Sequence, residues 1–227
     1  MSRLIAIGDI HGEIDKLNSL LNKLNLDKSD TVVFLGDYID RGENSKEVIT
    51  KLIEISKTLN CVFLKGNHED MLLNILKTKK EEDIEHWLLS GGVETFDNYG
   101  GFPEIFNTHG EFFKSLKPYY MTEKYLFVHA GVNPDKPVIE EQTSDDLFWI
   151  RTEFLNNPHK FKQKVIFGHT PFTEPLILDD KIGIDTSCGK EPDLPLTAFI
   201  CNDETFINSN NERKDYESIN WKHLYCF

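Results

Sequence analysis

Five short clusters of polar side chains follow apolar, strand-like runs of the sequence, and each carries groups that bind metal ions. These groups are carboxylates, imidazoles and a carboxamide, and no cysteine is among them. Mixed oxygen and nitrogen ligands favour Mn, Fe, Zn or Co over a soft metal, without choosing among them. The clusters are residues 8–12 (GDIHG), 36–42 (GDYIDRG), 66–69 (GNHE), 129–131 (HAG) and 168–170 (GHT).

The spacing of these residues favours coordination around a common point. Asp9 and His11 are two positions apart, so on an extended segment both side chains lie on one face and reach one ion. Asp37 has two carboxylate oxygens to share, which makes it the natural bridge between two ions. The residues that would complete a second ion are Asn67, His129 and His169.

Each cluster taken alone also has a structural interpretation. A Gly-Asp pair after a strand is a turn signal, a lone histidine there is more often a hydrogen-bonded structural residue, and Asn67 suits a helix N-cap. In an α/β sheet, however, ligands bind at the carboxyl ends of the strands. Five clusters at five strand ends therefore favour a metal site over five unrelated turns.

The elements that must position these clusters alternate over the first eighty residues. Continuous apolar strands separated by helices predict parallel pairing, with the helices packed on the faces of the sheet. We predict strands at residues 4–7, 31–35 and 61–64, and helices over 14–24, 48–55 and from 71 onwards.

The rest of the chain has a different pattern. Residues 79–118 are mostly helical, with two Gly-Gly breaks, and we expect a cap-like segment within one domain spanning residues 1–227. Turn signals at 179–180 and 202–203 predict antiparallel pairing in the second half, and an aromatic tail should lie across the body. The strands predicted there are residues 125–128, 165–167, 176–178, 182–184 and 196–201.

Together the five motifs resemble those of the phosphoprotein phosphatase family of calcineurin-like metallophosphoesterases, and most closely its small bacterial and phage serine/threonine phosphatases. The resemblance spans residues 8–170, and Asp185 extends it. It implies an α/β fold of four layers, in which two mixed β-sheets are sandwiched and flanked by helices. It also implies two divalent metal ions, with Mn favoured in vitro and Fe or Zn as alternatives.

The resemblance assigns roles to individual residues. His68 would be the general acid, paired with Asp40, because an alkoxide leaving group must be protonated and a carboxylate orients the imidazole. Arg41 and Arg151 would bind the phosphate oxygens, and Asp185 would support a metal-bound histidine. The implied ligands are Asp9, His11 and Asp37 for the first ion, and Asp37, Asn67, His129 and His169 for the second.

The implied reaction is hydrolysis of phosphoserine and phosphothreonine in proteins, extending to phosphotyrosine, by in-line attack of a hydroxide that bridges the metals. The alternative is a symmetrical dinucleoside tetraphosphate hydrolase on the same fold. That group typically replaces the Asp of the DRG segment, so an intact Asp40 favours the protein phosphatase. A non-catalytic adaptor would be expected to have lost metal ligands, and all six are present.

The composition of the chain limits the kinds of partner that we expect. The 227 residues include 25 Lys and Arg against 38 Asp and Glu, a formal net charge of −13. Nucleic-acid binding relies on basic residues that displace counterions, so we expect no nucleic-acid partner. No apolar stretch or leader suggests a membrane, and cysteines without a CxxC pair predict reduced thiols in a cytoplasmic protein. The expected partner is a phosphorylated protein or a small phosphate ester; the oligomeric state stays open.

Overall fold

Two β-sheets stack face to face in the structure, a computed structural model that describes residues 2–210 and 213–214. The strands are β1 (Leu4–Ile7), β2 (Thr31–Phe34), β3 (Asn60–Phe63), β4 (Tyr119–Met121), β5 (Tyr125–Val128), β6 (Lys164–Phe167), β7 (Leu176–Ile177), β8 (Lys181–Gly183), β9 (Thr197–Ile200), β10 (Thr205–Asn208) and β11 (Arg213–Lys214). The helices are α1 (Ile14–Leu24), α2 (Ser45–Ser56), α3 (Asn67–Thr78), α4 (Glu81–Trp87), α5 (Val93–Tyr99), α6 (Phe102–Ser115), α7 (Ser144–Phe148) and α8 (Thr152–Asn156).

Both sheets mix parallel and antiparallel pairs. The six-stranded sheet has the order β11-β10-β9-β1-β2-β3, and the five-stranded sheet has the order β4-β5-β6-β8-β7. β1, β2 and β3 run parallel, as predicted, while β9 joins β1 in the antiparallel direction. In the second sheet β5, β6 and β8 are parallel, and antiparallel β4 and β7 form its edges.

Side-chain alternation along the strands builds the layers. In β1, Ile5 and Ile7 pack against helices, whereas Ala6 between them packs against the second sheet. In β5, Phe127 faces the first sheet, whereas Val128 joins an outer core with α7 and α8. A strand whose two faces are both buried reads as a continuous apolar run because successive side chains point to opposite sides. The expected four-layer arrangement is confirmed.

The prediction that the second half pairs antiparallel is wrong for its central strands. The turn signals do mark two antiparallel hairpins, β7–β8 and β9–β10. The parallel β5–β6 pair instead needs a crossover, and residues 129–163 supply it with α7 and α8. β4, β10 and β11 were not among the predicted strands. The predicted position of the aromatic tail (Trp221, Tyr225 and Phe227) lies outside the described residues.

The segment at 79–118 is helical, as expected, and consists of α4, α5 and α6 with a π-helical turn at Leu88–Gly92. It contributes Trp87, Tyr99 and Phe113 to the same apolar core that β1 and β2 enter. Gly91 has φ 105° within the π-helical turn, a left-handed conformation that favours glycine.

Three of the four cysteines lie in the described part of the chain, and all three are free. Cys188 and Cys201 are buried and Cys61 is half-buried, while Cys226 lies outside that part. Across the described residues, every helix is too short or too polar to cross a bilayer.

Candidate active site

The predicted ligands meet around the carboxylate of Asp37, in the loop after β2. Asp37 Oδ2 lies 3.6 Å from His11 Nε2 and 3.9 Å from His68 Nε2. Asp37 Oδ1 lies 3.4 Å from His129 Nε2. The two oxygens of one buried carboxylate therefore face imidazoles on opposite sides, as a bridging ligand requires.

Asn67, the first residue of α3, connects the two remaining histidines. Its Oδ1 lies 2.9 Å from His129 Nε2 and 2.8 Å from His169 Nδ1. Two groups of potential ligand atoms result, each with all its atoms within 4.8 Å of one another, and they share Asp37. One contains His11, Asp37 and His68, and the other contains Asp37, His129 and His169.

The carboxylate of Asp9 lies at the same site, against the backbone of His169. It accepts the backbone N–H of His169 at 3.0 and 3.2 Å and belongs to neither ligand group. The expectation assumed an extended segment, but His11 has φ 47° in a turn, so Asp9 and His11 do not alternate as in a strand. A Cβ at Gly168 would lie 2.1 Å from Asp9 Oδ1, so only glycine admits this approach.

Backbone carbonyls fix two of the histidine rings. His11 Nδ1 donates to the Ile39 carbonyl at 2.9 Å, and His129 Nδ1 donates to the Leu35 carbonyl at 2.9 Å. A ring with its proton on Nδ1 presents the Nε2 lone pair, and in both residues that atom faces Asp37. These carbonyls thus select the tautomer that a metal-ligating histidine needs.

The local charges favour the metal-binding protonation states of three of the proposed ligands. Burial would raise the pKa of Asp37, but His129 and His68 hold it well below its ordinary value. Burial lowers the pKa of His11, and Arg41 lowers it further. Burial and the positive charge of His129 lower the pKa of His169. An ionised carboxylate and neutral imidazoles are the forms that bind a divalent cation.

The pKa values of Asp9 and His129 show that the site is rich in negative charge. Burial and the Asp185 carboxylate raise the pKa of Asp9 well above its ordinary value. Although burial opposes it, the carboxylate of Asp37 raises the pKa of His129 to about 9. Neighbouring carboxylates thus favour the protonated forms of Asp9 and His129. A divalent cation bound here would supply the same positive charge and take the place of those protons.

His68 and Asp40 form the expected pair. His68 Nδ1 lies 2.7 Å from Asp40 Oδ2, and both side chains are buried. Burial lowers the pKa of His68, but Asp37 and the hydrogen bond to Asp40 outweigh it and raise the pKa overall. The ring therefore holds a proton readily while its Nε2 faces the ligand groups.

The two arginines are less buried than the ligands: Arg41 is half-buried and Arg151 is exposed. Arg41 donates to His11 Nε2 at 2.7 Å, and its second terminal nitrogen lies 3.2 Å from His68 Nε2. Exposed Arg151 precedes α8 and faces the carboxylates of Asp185 and Asp9. Within the described chain Asp185 Oδ1 accepts the Ser187 N–H at 2.9 Å and makes no hydrogen bond to a histidine, so the expected support of a metal-bound histidine is not seen.

Comparison with known proteins decides the family. The family model described as calcineurin-like phosphoesterase matches residues 2–202. This chain belongs to the calcineurin-like phosphoesterases. It is a hydrolase of the metallophosphoesterase class, whose members use a dinuclear metal site.

Named relatives of this phosphoesterase act on different substrates. It is 30% identical over 192 residues to serine/threonine-protein phosphatase 2 of Escherichia coli, covering 79% of this chain and 85% of that protein. It is 26% identical over 213 residues to the asymmetrical bis(5'-nucleosyl)-tetraphosphatase PrpE of Halalkalibacterium halodurans, covering 80% and 84%. A solved cold-active protein tyrosine phosphatase aligns with TM-score 0.65 at 17% identity, covering 95% and 79%, and so shares the fold.

Sequence reasoning gave Glu69 no role, yet it organises the loop that carries Asp37. Its carboxylate accepts the backbone N–H groups of Asp37 at 2.9 Å, Tyr38 at 2.8 Å and Gly66 at 3.0 Å. Burial and the charge of Asp37 raise the pKa of Glu69 to about 7. The available signal was its place three residues after Gly66, the Glu position of a helix capping box.

Replacing Glu69 with alanine is expected to destabilise this phosphoesterase by about 3 kcal/mol, because buried N–H groups would lose their acceptor. Denaturant unfolding measures this loss, and Glu69→Gln, which keeps one acceptor oxygen, should lose less. A Glu69→Ala protein as stable as the parent would contradict the organising role.

Proposed function

We propose that this phosphoesterase is a two-metal-dependent serine/threonine protein phosphatase that also accepts phosphotyrosine. The observation that carries the proposal is the 2.7 Å contact between His68 and Asp40, buried beside both ligand groups. A serine or threonine alkoxide is a poor leaving group and needs a positioned acid. A histidine whose pKa is raised by carboxylates matches that requirement.

The residues present fit two cations. Lone pairs and carboxylate oxygens converge in two groups that share Asp37, and a pair of bound ions supplies a water of lowered pKa and neutralises phosphate charge. His68 lies in the first group, but we assign it to proton transfer because its Nε2 is farther from Asp37 than His11 Nε2 is. The proposed ligands are Asp9, His11 and Asp37, and Asp37, Asn67, His129 and His169.

The two arginines supply the proposed phosphate contacts. Arg41 donates to His11 Nε2 and lies 3.2 Å from His68 Nε2. A phosphate dianion is a stronger acceptor than a neutral imidazole, so it would draw the guanidinium away and release both nitrogens. Arg151, exposed and within electrostatic reach of Asp185, Asp9 and Asp37, would supply the second cation for the phosphate oxygens.

Hydrolysis of dinucleoside tetraphosphates is the second candidate, because PrpE relatives align with most of this chain. Those relatives are described as asymmetrical hydrolases, whereas the sequence had suggested the symmetrical reaction. A nucleotide phosphate is a good leaving group that gains little from an acid. The buried His68–Asp40 pair therefore favours the phosphate monoester.

Rates measured side by side with Mn²⁺ test this proposal on a phosphoserine peptide, a phosphotyrosine peptide and diadenosine tetraphosphate. We expect the highest kcat/KM on the phosphopeptides. A preference for the dinucleotide of tenfold or more would replace the proposal with the second candidate. Hydrolysis of none of the three would refute both.

Chelation is expected to inactivate the enzyme, and Mn²⁺ is expected to restore it, since the ligands converge on cations that carry the chemistry. Metal at about 100 times its Kd should also add about 2.7 kcal/mol to the free energy of unfolding. Activity assays and thermal unfolding, before and after dialysis against EDTA, measure both effects. Full activity in metal-free buffer would contradict the mechanism.

We also propose a cytoplasmic location, supported by three free cysteines in the described chain. The net charge of −13 supports a protein or small-molecule substrate over nucleic acid.

A further inference from the structure

The carboxylate of Asp40 accepts hydrogen bonds from two side chains besides His68. Oδ2 accepts His68 Nδ1 at 2.7 Å and Trp87 Nε1 at 2.9 Å, and Oδ1 accepts the Thr95 hydroxyl at 2.7 Å. Asp40, Trp87 and Thr95 are each fully buried. Two of the three donors thus come from the helical segment at 79–118, which lies outside the five motifs.

The hydroxyl of Thr95 holds the backbone of Asp40 as well. Its single proton goes to Asp40 Oδ1, so its oxygen must accept the Asp40 N–H at 2.8 Å and the Ser45 hydroxyl at 2.8 Å. Ser45 Oγ also accepts the Asp40 N–H, at 3.1 Å. Within this network each hydroxyl both donates and accepts, so the backbone N–H and the carboxylate of Asp40 are both held in one arrangement.

Such support is needed because the backbone here is strained. Asp40 has φ 72° and Arg41 has φ 70°, two successive left-handed residues that carry a Cβ. This conformation persists only where the surroundings impose it. The Arg41 N–H donates to the Gly91 carbonyl at 2.8 Å.

Gly91 can make that contact only because it is glycine. It has φ 105° in the π-helical turn, and a Cβ there would lie 2.8 Å from Arg41 Cγ. Local π-helical turns often occur at functional sites. The turn therefore places a backbone carbonyl on the Arg41 N–H at a position where a Cβ would press on the Arg41 side chain.

We propose that Trp87, Gly91 and Thr95 are positioning residues that hold Asp40 and Arg41 for the reaction. The role of the helical segment at 79–118 is then to set the acid pair and the phosphate-binding arginine. This inference rests on the proposed function, because the effect of Trp87 and Thr95 is exerted through protonation of the leaving group by His68.

Trp87→Phe and Thr95→Val each remove one donor to Asp40 while keeping most of the side-chain volume. Each is expected to lower kcat about tenfold on a phosphoserine peptide, the rate equivalent of one lost buried hydrogen bond. On an aryl phosphate with a good leaving group the loss should stay below about twofold. Thr95→Ser, which keeps the hydroxyl, should restore most of the peptide activity.

Tyr99→Phe is the matched control for a donor lost elsewhere in the same segment. The buried Tyr99 hydroxyl is hydrogen-bonded to His109 Nδ1 at 2.6 Å, away from Asp40. Its removal should affect both substrates equally. Gly91→Ala should raise KM on both substrates, because it displaces Arg41 and not the acid.

The His68→Asn background separates positioning from general destabilisation. If Trp87 and Thr95 act through His68, adding Trp87→Phe or Thr95→Val to His68→Asn should cost less than twofold more, since coupled residues are not additive. Full additivity, or equal single-variant losses on both substrates, would overturn the inference. If Thr95→Val does not fold, Trp87→Phe decides the matter alone.

The same set of variants keeps this inference separate from the proposed function. A His68→Asn enzyme that loses activity equally on peptide and aryl phosphate removes the acid role itself. A leaving-group-selective His68→Asn loss alongside unselective Trp87→Phe and Thr95→Val losses leaves the proposed function standing and rejects only the positioning role.

Discussion

An Asp37→Asn enzyme is expected to lose bound metal and to fall on the order of 10³-fold or more in kcat/KM. Asp37 is the only residue common to both ligand groups in the described chain, and its two oxygens face His11 and His129 on opposite sides. Asparagine offers one neutral oxygen in place of two charged ones. Both sites are therefore weakened by a single isosteric change.

Metal content per chain, measured alongside the rate, tests the prediction. Asp30→Asn is a matched control, because Asp30 is an equally buried carboxylate that pairs with Arg3 Nε at 3.1 Å. That variant should lose stability but keep its metal and its activity. A fully active, metal-replete Asp37→Asn enzyme would refute the bridging role.

The features that sequence predicts well are those encoded locally. The apolar runs at Leu4–Ile7 and Thr31–Phe34 report strands buried on both faces, and each polar cluster directly follows its strand. Strand ends in α/β sheets collect ligands, so the clustering of five motifs was predictable before any distance was known. The convergence on Asp37 follows from these signals, whereas the four-layer fold was implied by the resemblance to the family.

What sequence missed depends on contacts between distant segments. His11 departs from an extended conformation because its N–H and that of Ile10 both donate to the Asp37 carbonyl at 2.9 Å. That contact folds the loop after β1 onto the loop after β2, so Asp9 and His11 do not alternate as residues of a strand do. No residue pattern within 8–12 predicts this contact with the Asp37 carbonyl.

The parallel β5–β6 pair and the role of Glu69 were missed for the same reason. A hairpin can be predicted from the turn residues between its strands. A parallel pair is joined by a long crossover segment, and no local residue pattern specifies which strands it brings together. Glu69 was visible as a capping residue. That it also accepts the N–H groups of Asp37 and Tyr38 needed the structure.

His68→Asn is expected to keep both metal ions but to lose on the order of 10²- to 10⁴-fold in kcat on a phosphoserine peptide, the usual contribution of a general acid. The loss should be much smaller on an aryl phosphate, whose leaving group departs without a proton. Asparagine also lacks the imidazole that Asp40 orients at 2.7 Å. The ratio of the two losses, and not either loss alone, reports the acid role.

The control for this variant is a buried histidine outside the site. His109 lies in α6 and is hydrogen-bonded to the Tyr99 hydroxyl. A His109→Asn enzyme should have reduced stability and the same leaving-group dependence as the parent. If His68→Asn lost metal, its rate would fall equally on both substrates, and His68 would be a ligand of the first group that it adjoins in the structure. A selective loss with full metal content instead requires that the proton on the departing oxygen comes from His68, because the metals and both arginines are unchanged.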